Sequence, residues 1–564
     1  MLKDSPRGQI PDPGRCWNGR ALFFAMGLFW ALGACAVGGS DSAPKGGSGP
    51  GEGRGTSNPG SGSGGAVPQD PSAPPPMTEP PPPETEEQRS FETPQAGARF
   101  VYVANPTRDS VAVIDSMGLG IKTVRVGDAP ADVATAPGQD VAVVVNLGSR
   151  DVNVLRTDPA GQTTTTRLPV VAGVNRVAMA PDGRHAVVFF DTTRGSGVAT
   201  ANFQEVTLLT LAPGADQAID MTVGFRPLEV VFAQDGSAAF VITEEGVSAL
   251  RWQQITGPGV APLYRLQGGA AAAAGTGDVS VTPDGRYAVS RQDGSGRLVL
   301  TDLASGTSLP LDLPGPVTDL DLAPAGDFAL AVLREQNAYL RLPVPGGFAD
   351  PTVASTVALP TPGLGSATVS PDGTRAVFYT TVASASAERL VIADLSGAMP
   401  AVTVPLKKGV RAVAIAPGSK TALVVHDRAE GDPAEPGIDI ETQIDRAFGY
   451  TALNLETGFA KLELTPADVW AFALTPEGSR AFVVSRGPRV DTPVRLVQRL
   501  DLRSFIVDDF VLGSPPLAVA ALGASVRRVF VSQAHPEGRI TFIDWETGVA
   551  ESVTGFELNG RIVQ

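Results

Sequence analysis

The sequence predicts an all-β protein of about ten four-stranded repeats, closed into one ring, with two smaller rings as the alternative. Three observations carry this prediction: a recurring glycine turn, short alternating apolar strands on either side of it, and a unit too small to shield its own faces. Units of that kind must stack on one another, and closing the stack removes two exposed strand edges.

The turn is seen best within Pro316–Leu342, where an alternating strand meets Ala323–Asp327 (APAGD) and a second strand returns. It recurs at Ala136–Gln139, Ala180–Arg184, Ala233–Ser237, Thr282–Arg286, Ser370–Thr374, Ala416–Lys420 and Thr475–Ser479, and in a worn form at Ala521–Ser525. Proline presets the first corner, aspartate bonds back to the backbone, and glycine takes the positive φ. Successive turn glycines are about 48 residues apart, room for four strands named a to d from the axis outward. Nine a strands are expected to begin near residues 130, 174, 227, 277, 316, 364, 410, 469 and 516. A trio with no inner strand (Phe100–Ala104, Ser110–Asp115, Ile121–Val126) precedes them, and Arg561–Val563 at the other end is expected to complete it.

Val101–Asn105 (VYVAN), Asp109–Asp115 (DSVAVID) and the linkers Gly127–Pro130 (GDAP), Gly224–Pro227 (GFRP) and Gly513–Pro516 (GSPP) resemble the YVTN/WD40-like β-propeller repeats of bacterial envelope proteins. The resemblance covers about 465 residues and implies the propeller fold. It leaves function open, because such propellers host both binders and enzymes.

The first hundred residues have another character. Four basic residues in Met1–Arg20 precede an uncharged run, Ala21–Ala34, of signal-peptide length and too short to span a bilayer. The run ends in Leu32-Gly33-Ala34-Cys35, which resembles the lipobox of bacterial lipoproteins. That resemblance implies cleavage before Cys35, a diacylglyceryl group on its sulfur, and, with no aspartate following, an outer-membrane address. A Gly/Ser-rich and then Pro-rich stretch follows, so the expected organisation is signal peptide 1–34, lipidated cysteine and tether 35–97, and repeat domain 98–564. Removing residues 1–34 leaves 40 basic and 57 acidic residues, a balance that argues against nucleic acid and against adhesion to anionic lipid. Cys16 and Cys35 are the only cysteines, so no internal disulfide is expected in the processed chain.

Loops joining b to c should emerge on one face, and there the chain spends its extra residues: Asp191–Gln204, His426–Gly449 and Arg486–Pro493. Candidate binding-face residues are Asn105, Arg108, Asp109, Arg150, Asp151, Arg194, Arg291, Arg334, Asp432, Asp439, Arg486 and His535. The acidic 426–449 loop offers Asp432, Glu435, Asp439 and Glu441 as weak calcium ligands, although their spacing departs from the usual calcium loop; no other cofactor is expected. Only His185, His426 and His535 are present, and no local catalytic motif accompanies them. The leading expectation is a lipid-anchored scaffold that binds an envelope protein or glycan. A lactonase-like propeller hydrolase and a structural component of an envelope assembly are the alternatives.

Overall fold

The computed structural model describes residues 95–192, 203–266, 277–486 and 494–556, with the backbone alone of Cys35–Ala36. Ten sheets follow one another along the chain, each with four antiparallel strands; they are consecutive in every sheet but the fourth, where Gly259–Val260 intervenes before the outer strand. Numbered in chain order, blades 1 to 10 have as inner a strands Gln95–Ala96, Pro130–Thr135, Arg176–Met179, Pro227–Phe232, Gly277–Val281, Asp319–Leu322, Ser366–Val369, Val410–Ile415, Asp468–Leu474 and Pro516–Ala521. Nine of these begin within three residues of the positions read from the turns. Blade 3 gains Gly259–Val260 as a short parallel neighbour of its d strand, and Cys35–Ala36 pairs with the a strand of blade 9.

The a–b turns hold together for the expected reason. Gly138, Gly183, Gly236, Gly285, Gly326, Gly373 and Gly478 all have φ between +65° and +72°. The turns of blades 8 and 10 differ: Ser419, not Gly418, takes the left-handed position with φ +56°, and Arg527, not Gly523, takes it with φ +55°.

The core is not one mass but ten apolar seams, each shared by two successive blades. In the first, Tyr102, Val111 and Val113 of blade 1 meet Ala142, Val144 and Leu155 of blade 2. The last brings Ala520, Phe530, Phe542 and Phe556 of blade 10 against Val101, Ala112 and Ile114 of blade 1. Arg528 Nη1 donates to Ser116 O at 2.7 Å and Gly523 N to Ala98 O at 3.2 Å across this closing seam. The molecule is therefore one ten-bladed β-propeller, not two smaller rings.

One expectation is corrected here. The inner position of blade 1 is taken by Gln95–Ala96, paired with Tyr102 and Val101, so blade 1 starts inside the stretch read as tether. Residues 561–563, expected in that place, lie outside the described residues.

Candidate functional site

The b–c loops and d–a linkers lie together at one end of the ring, around the mouth of its axis. Several inner strands bulge close to that end, which leaves one residue unpaired and re-aims it. The bulged residues are Ala131, Leu228, Arg411, Trp470 and Leu517. Three of these, on blades 8, 9 and 10, form a chain of contacts. Arg411 donates through Nη2 to Asp468 Oδ1 at 2.8 Å and Val469 O at 3.3 Å, and Trp470 Nε1 donates to Leu517 O at 3.0 Å. The Arg486 guanidinium lies 4.6 Å from the Trp470 ring centroid, a cation–π arrangement that holds the exposed arginine over the indole.

Beside them, on blade 8, stands the largest described insertion, 427–447. It is folded. Asp439 caps a short helix, Ile440–Arg446, by accepting from Thr442 N at 2.8 Å, and acid at its start and Arg446 at its end suit the helix dipole. Lys408, from the linker into blade 8, donates to Ile444 O at 2.7 Å and Asp445 O at 2.8 Å, satisfying carbonyls that the helix end leaves open. Partial burial lowers the Lys408 pKa to about 8, against the pull of Asp445 and Asp427. Arg446 pairs with Glu435, and Arg428 lies over Phe448. The loop carries seven carboxylates against two arginines, and Glu430, Asp432, Glu435, Asp439, Ile440 and Glu441 face solvent. Three of the four carboxylates offered for calcium make other bonds. Asp432 accepts from Ala434 N, Asp439 caps the helix and Glu435 is tied to Arg446; among the described residues no group of three or more His, Cys, Asp or Glu is arranged to hold a metal.

The other candidates serve the turns. Asn105 Oδ1 accepts from Thr107, while Arg108 N donates to Asn105 O. Asp109 and Arg150 occupy left-handed positions, and Asp109 also accepts from Ala129 N of the following linker. Asp151 accepts from Asn146 and Arg167 within blade 2. Arg334 opens a 3-10 turn ending at left-handed Asn337. In the turn of blade 10, His535 Nδ1 accepts from Glu537 N at 3.2 Å. Arg194 lies outside the described residues, as does the side chain of Cys35. These residues share one face but are spread around it; only Asp432, Asp439, Arg486 and His535 belong to the sector of blades 8 to 10. Trp470 and Arg411 were missed. Their signal was faint: bulky residues near the start of an inner strand, where blade 2 has alanine.

Arg291 is corrected from rim to wall. Its side chain is buried against Asp278 and 2.7 Å from Asp293. Nearby, Asp319 accepts from Ala367 N at 2.5 Å and Asp321 bonds the backbone of Val369, so two carboxylates of blade 6 cap the free inner edge of blade 7. Asp132 does the same for Val177 between blades 2 and 3. Inner strands have no neighbour toward the axis, and such side chains satisfy their open N–H groups. Burial raises Asp278 to about 6 and Asp319 to about 7, with Arg291 pulling both back, and also raises Asp321 well above the ordinary carboxylate range.

The histidines are structural. His185 stacks on Trp252 with ring centroids 4.5 Å apart, at the turn end of the ring. His426 is buried, with Nδ1 3.0 Å from Gly409 O and Nε2 2.7 Å from Thr451 Oγ1. Burial lowers its pKa to about 4, so it is neutral at physiological pH. It pairs with Val410 as Asn146 pairs with Pro130 and Gln533 with Pro516; all three close a b strand.

No known family matches the sequence, and no curated protein matches it. Among solved structures it is similar to dihydro-heme d1 dehydrogenase NirN in complex with DHE, at 13% identity over 74% of each chain, TM-score 0.38. It is also similar to a eukaryotic initiation factor (11% identity, 81% of this chain and 96% of that one, TM-score 0.46) and to Kuenenia stuttgartiensis hydrazine synthase (15%, 56% and 95%, TM-score 0.29). At these values the likenesses carry no argument about activity.

Proposed function

We propose that this chain is a lipid-anchored protein of the bacterial outer membrane whose propeller binds a protein partner at the mouth over blades 8 to 10. The observation that supports this reading is the 427–447 arm. It is held in one shape by Lys408, Asp439 and Arg446, so presenting its acidic face to a partner costs little ordering entropy. Five exposed carboxylates around exposed Ile440 suit a partner with a basic surface and an apolar notch. Trp470 and Arg486, residue types enriched at binding hot spots, stand on the adjoining blade.

The test uses the full chain in its membrane. Crosslinking intact protein, and a Glu430→Lys, Asp432→Lys, Glu441→Lys variant, should give a partner band with the first that is lost with the second at equal expression. Identical bands reject the arm as the docking element. Mass spectrometry of the processed N-terminus should find acylated Cys35. An unmodified Cys35 on an uncleaved chain, left beside the inner strand of blade 9, rejects the anchor.

A further inference from the structure

In blades 2, 3, 4, 8 and 10 a polar residue early in the c strand builds a clamp with the linker that enters its own blade, whereas blades 1, 5, 6 and 7 have apolar Ala112, Val299, Leu340 and Val391 there. Gly127 N donates to Asn153 at 2.9 Å in blade 2, Val171 N to Thr207 at 3.0 Å in blade 3, and Gly224 N to Ser248 at 3.0 Å in blade 4. In blades 8 and 10 the last b residue mediates: His426 joins Gly409 to Thr451, and Gln533 joins Ser514 to Thr541.

Blade 9 breaks the pattern. Its third c residue is Gln498 and the b residue in the clamp position is Ser485, paired with Val469 as Asn146 is paired with Pro130. The linker residue three before Val469 is Pro466, where Gly127 stands three before Pro130. Proline has no N–H, so the usual donor is missing. Gln498 Nε2 reaches Asp509 at 3.1 Å, but Gln498 Oε1 and Ser485 Oγ are buried without partners.

A third oxygen lies in the same seam. Val484 and Val497 pack toward blade 10, so by strand alternation Ser485 and Gln498 face blade 8. From blade 8, the fully buried Tyr450 packs on Val483 and Leu500 of blade 9, and its hydroxyl also has no partner. In eight of the other blades that c-strand position holds valine, leucine or isoleucine (Val111, Val152, Val206, Val247, Leu298, Leu390, Val497 and Ile540), and blade 6 has Tyr339. Burial above all, and then the charges of Glu463 and Asp509, disfavour ionisation of the phenol. The neighbouring cation, Lys461, is engaged with Glu463 and with Phe505 O.

We propose that the seam between blades 8 and 9 holds a small monovalent cation, of the sodium, potassium or ammonium class, on Tyr450 Oη, Ser485 Oγ and Gln498 Oε1. Three neutral oxygens with two carboxylates nearby favour a positive guest and disfavour an anion; without a directly ligating carboxylate, they favour one charge over two.

Thermal unfolding of the full chain is measured in NaCl, KCl, NH4Cl and choline chloride at equal ionic strength. The choline cation is too large for the seam. At least one of the first three salts should raise Tm over choline by about 2 °C or more. Tyr450→Phe and Ser485→Ala, which keep the packing, should each cut that increment by half or more while unfolding cooperatively. Equal Tm in all four salts, the result for a seam that takes only water, overturns the proposal. So does an increment that survives both substitutions.

Discussion

Blade 2 and blade 9 use the same four strands and the same bulged inner strand, yet one closes its polar clamp and the other leaves it open. In blade 2 the linker glycine fits against Asn146, Ser149 and Asp151, and its N–H meets Asn153. In blade 9 proline stands at that position, and the side chains beneath it lack a donor. A repeat can thus spend one shared backbone position on rigidity in one place and on an unsatisfied, receptive seam in another.

The largest effect should come from Gly127→Val. Its Cβ would collide with Ser149 Oγ, Asp151 Oδ1 and Asn146 Nδ2, and urea unfolding should register a loss of about 4 kcal/mol or more. Pro466→Gly should cost only about 0.4–1 kcal/mol, chiefly through greater freedom of the unfolded chain. Similar losses at both sites would erase the contrast. Next, Asn153→Ala leaves Gly127 N without its acceptor and takes one of the two acceptors of Asn146 Nδ2, and should cost about 2–3 kcal/mol; Gln498→Ala, which removes an open acceptor and one bond to the exposed Asp509, should cost less, about 1 kcal/mol.

The pH response separates wall from clamp. Asp319 titrates near 7 in the fold against 3.8 as its ordinary value, so between those values the folded chain holds more protons and stability falls as pH rises. His426 titrates near 4 against 6.5, so there the unfolded chain holds more protons and stability rises with pH. Urea midpoints at pH 4.5, 5.5 and 6.5 should therefore trend more steeply upward in Asp319→Asn and more steeply downward in His426→Gln. Reversed trends would show that neither group titrates as its burial implies. The smallest effect should be at the surface of the arm, where Glu441→Gln should change stability by less than about 0.5 kcal/mol.

Nine blades were legible because most a–b turns place a glycine in a left-handed corner, usually behind a proline, and that need marks the chain at regular intervals. The inner strand of blade 1 was not, since Gln95–Ala96 is two residues long with no such turn before it. The b–c face and the arm were readable as length and charge. The arm's helix was not, because it depends on Lys408 arriving from a separate linker. Trp470 stayed hidden for a related reason: a bulge is a property of register between two strands, not of either strand alone. The carboxylates of the wall looked like solvent-facing residues of alternating strands. Only the ring shows that they reach the backbone of the next blade.

Gln95 and Phe556, first and last of the described stretch from blade 1 to blade 10, belong to the two blades that meet at the closing seam. Any pull transmitted from upstream therefore arrives at the closing seam. Ten blades place the arm about two and a half steps, or roughly 90°, around the rim from that seam. Tension would peel the circle open from one side while the acidic arm stayed seated on the other.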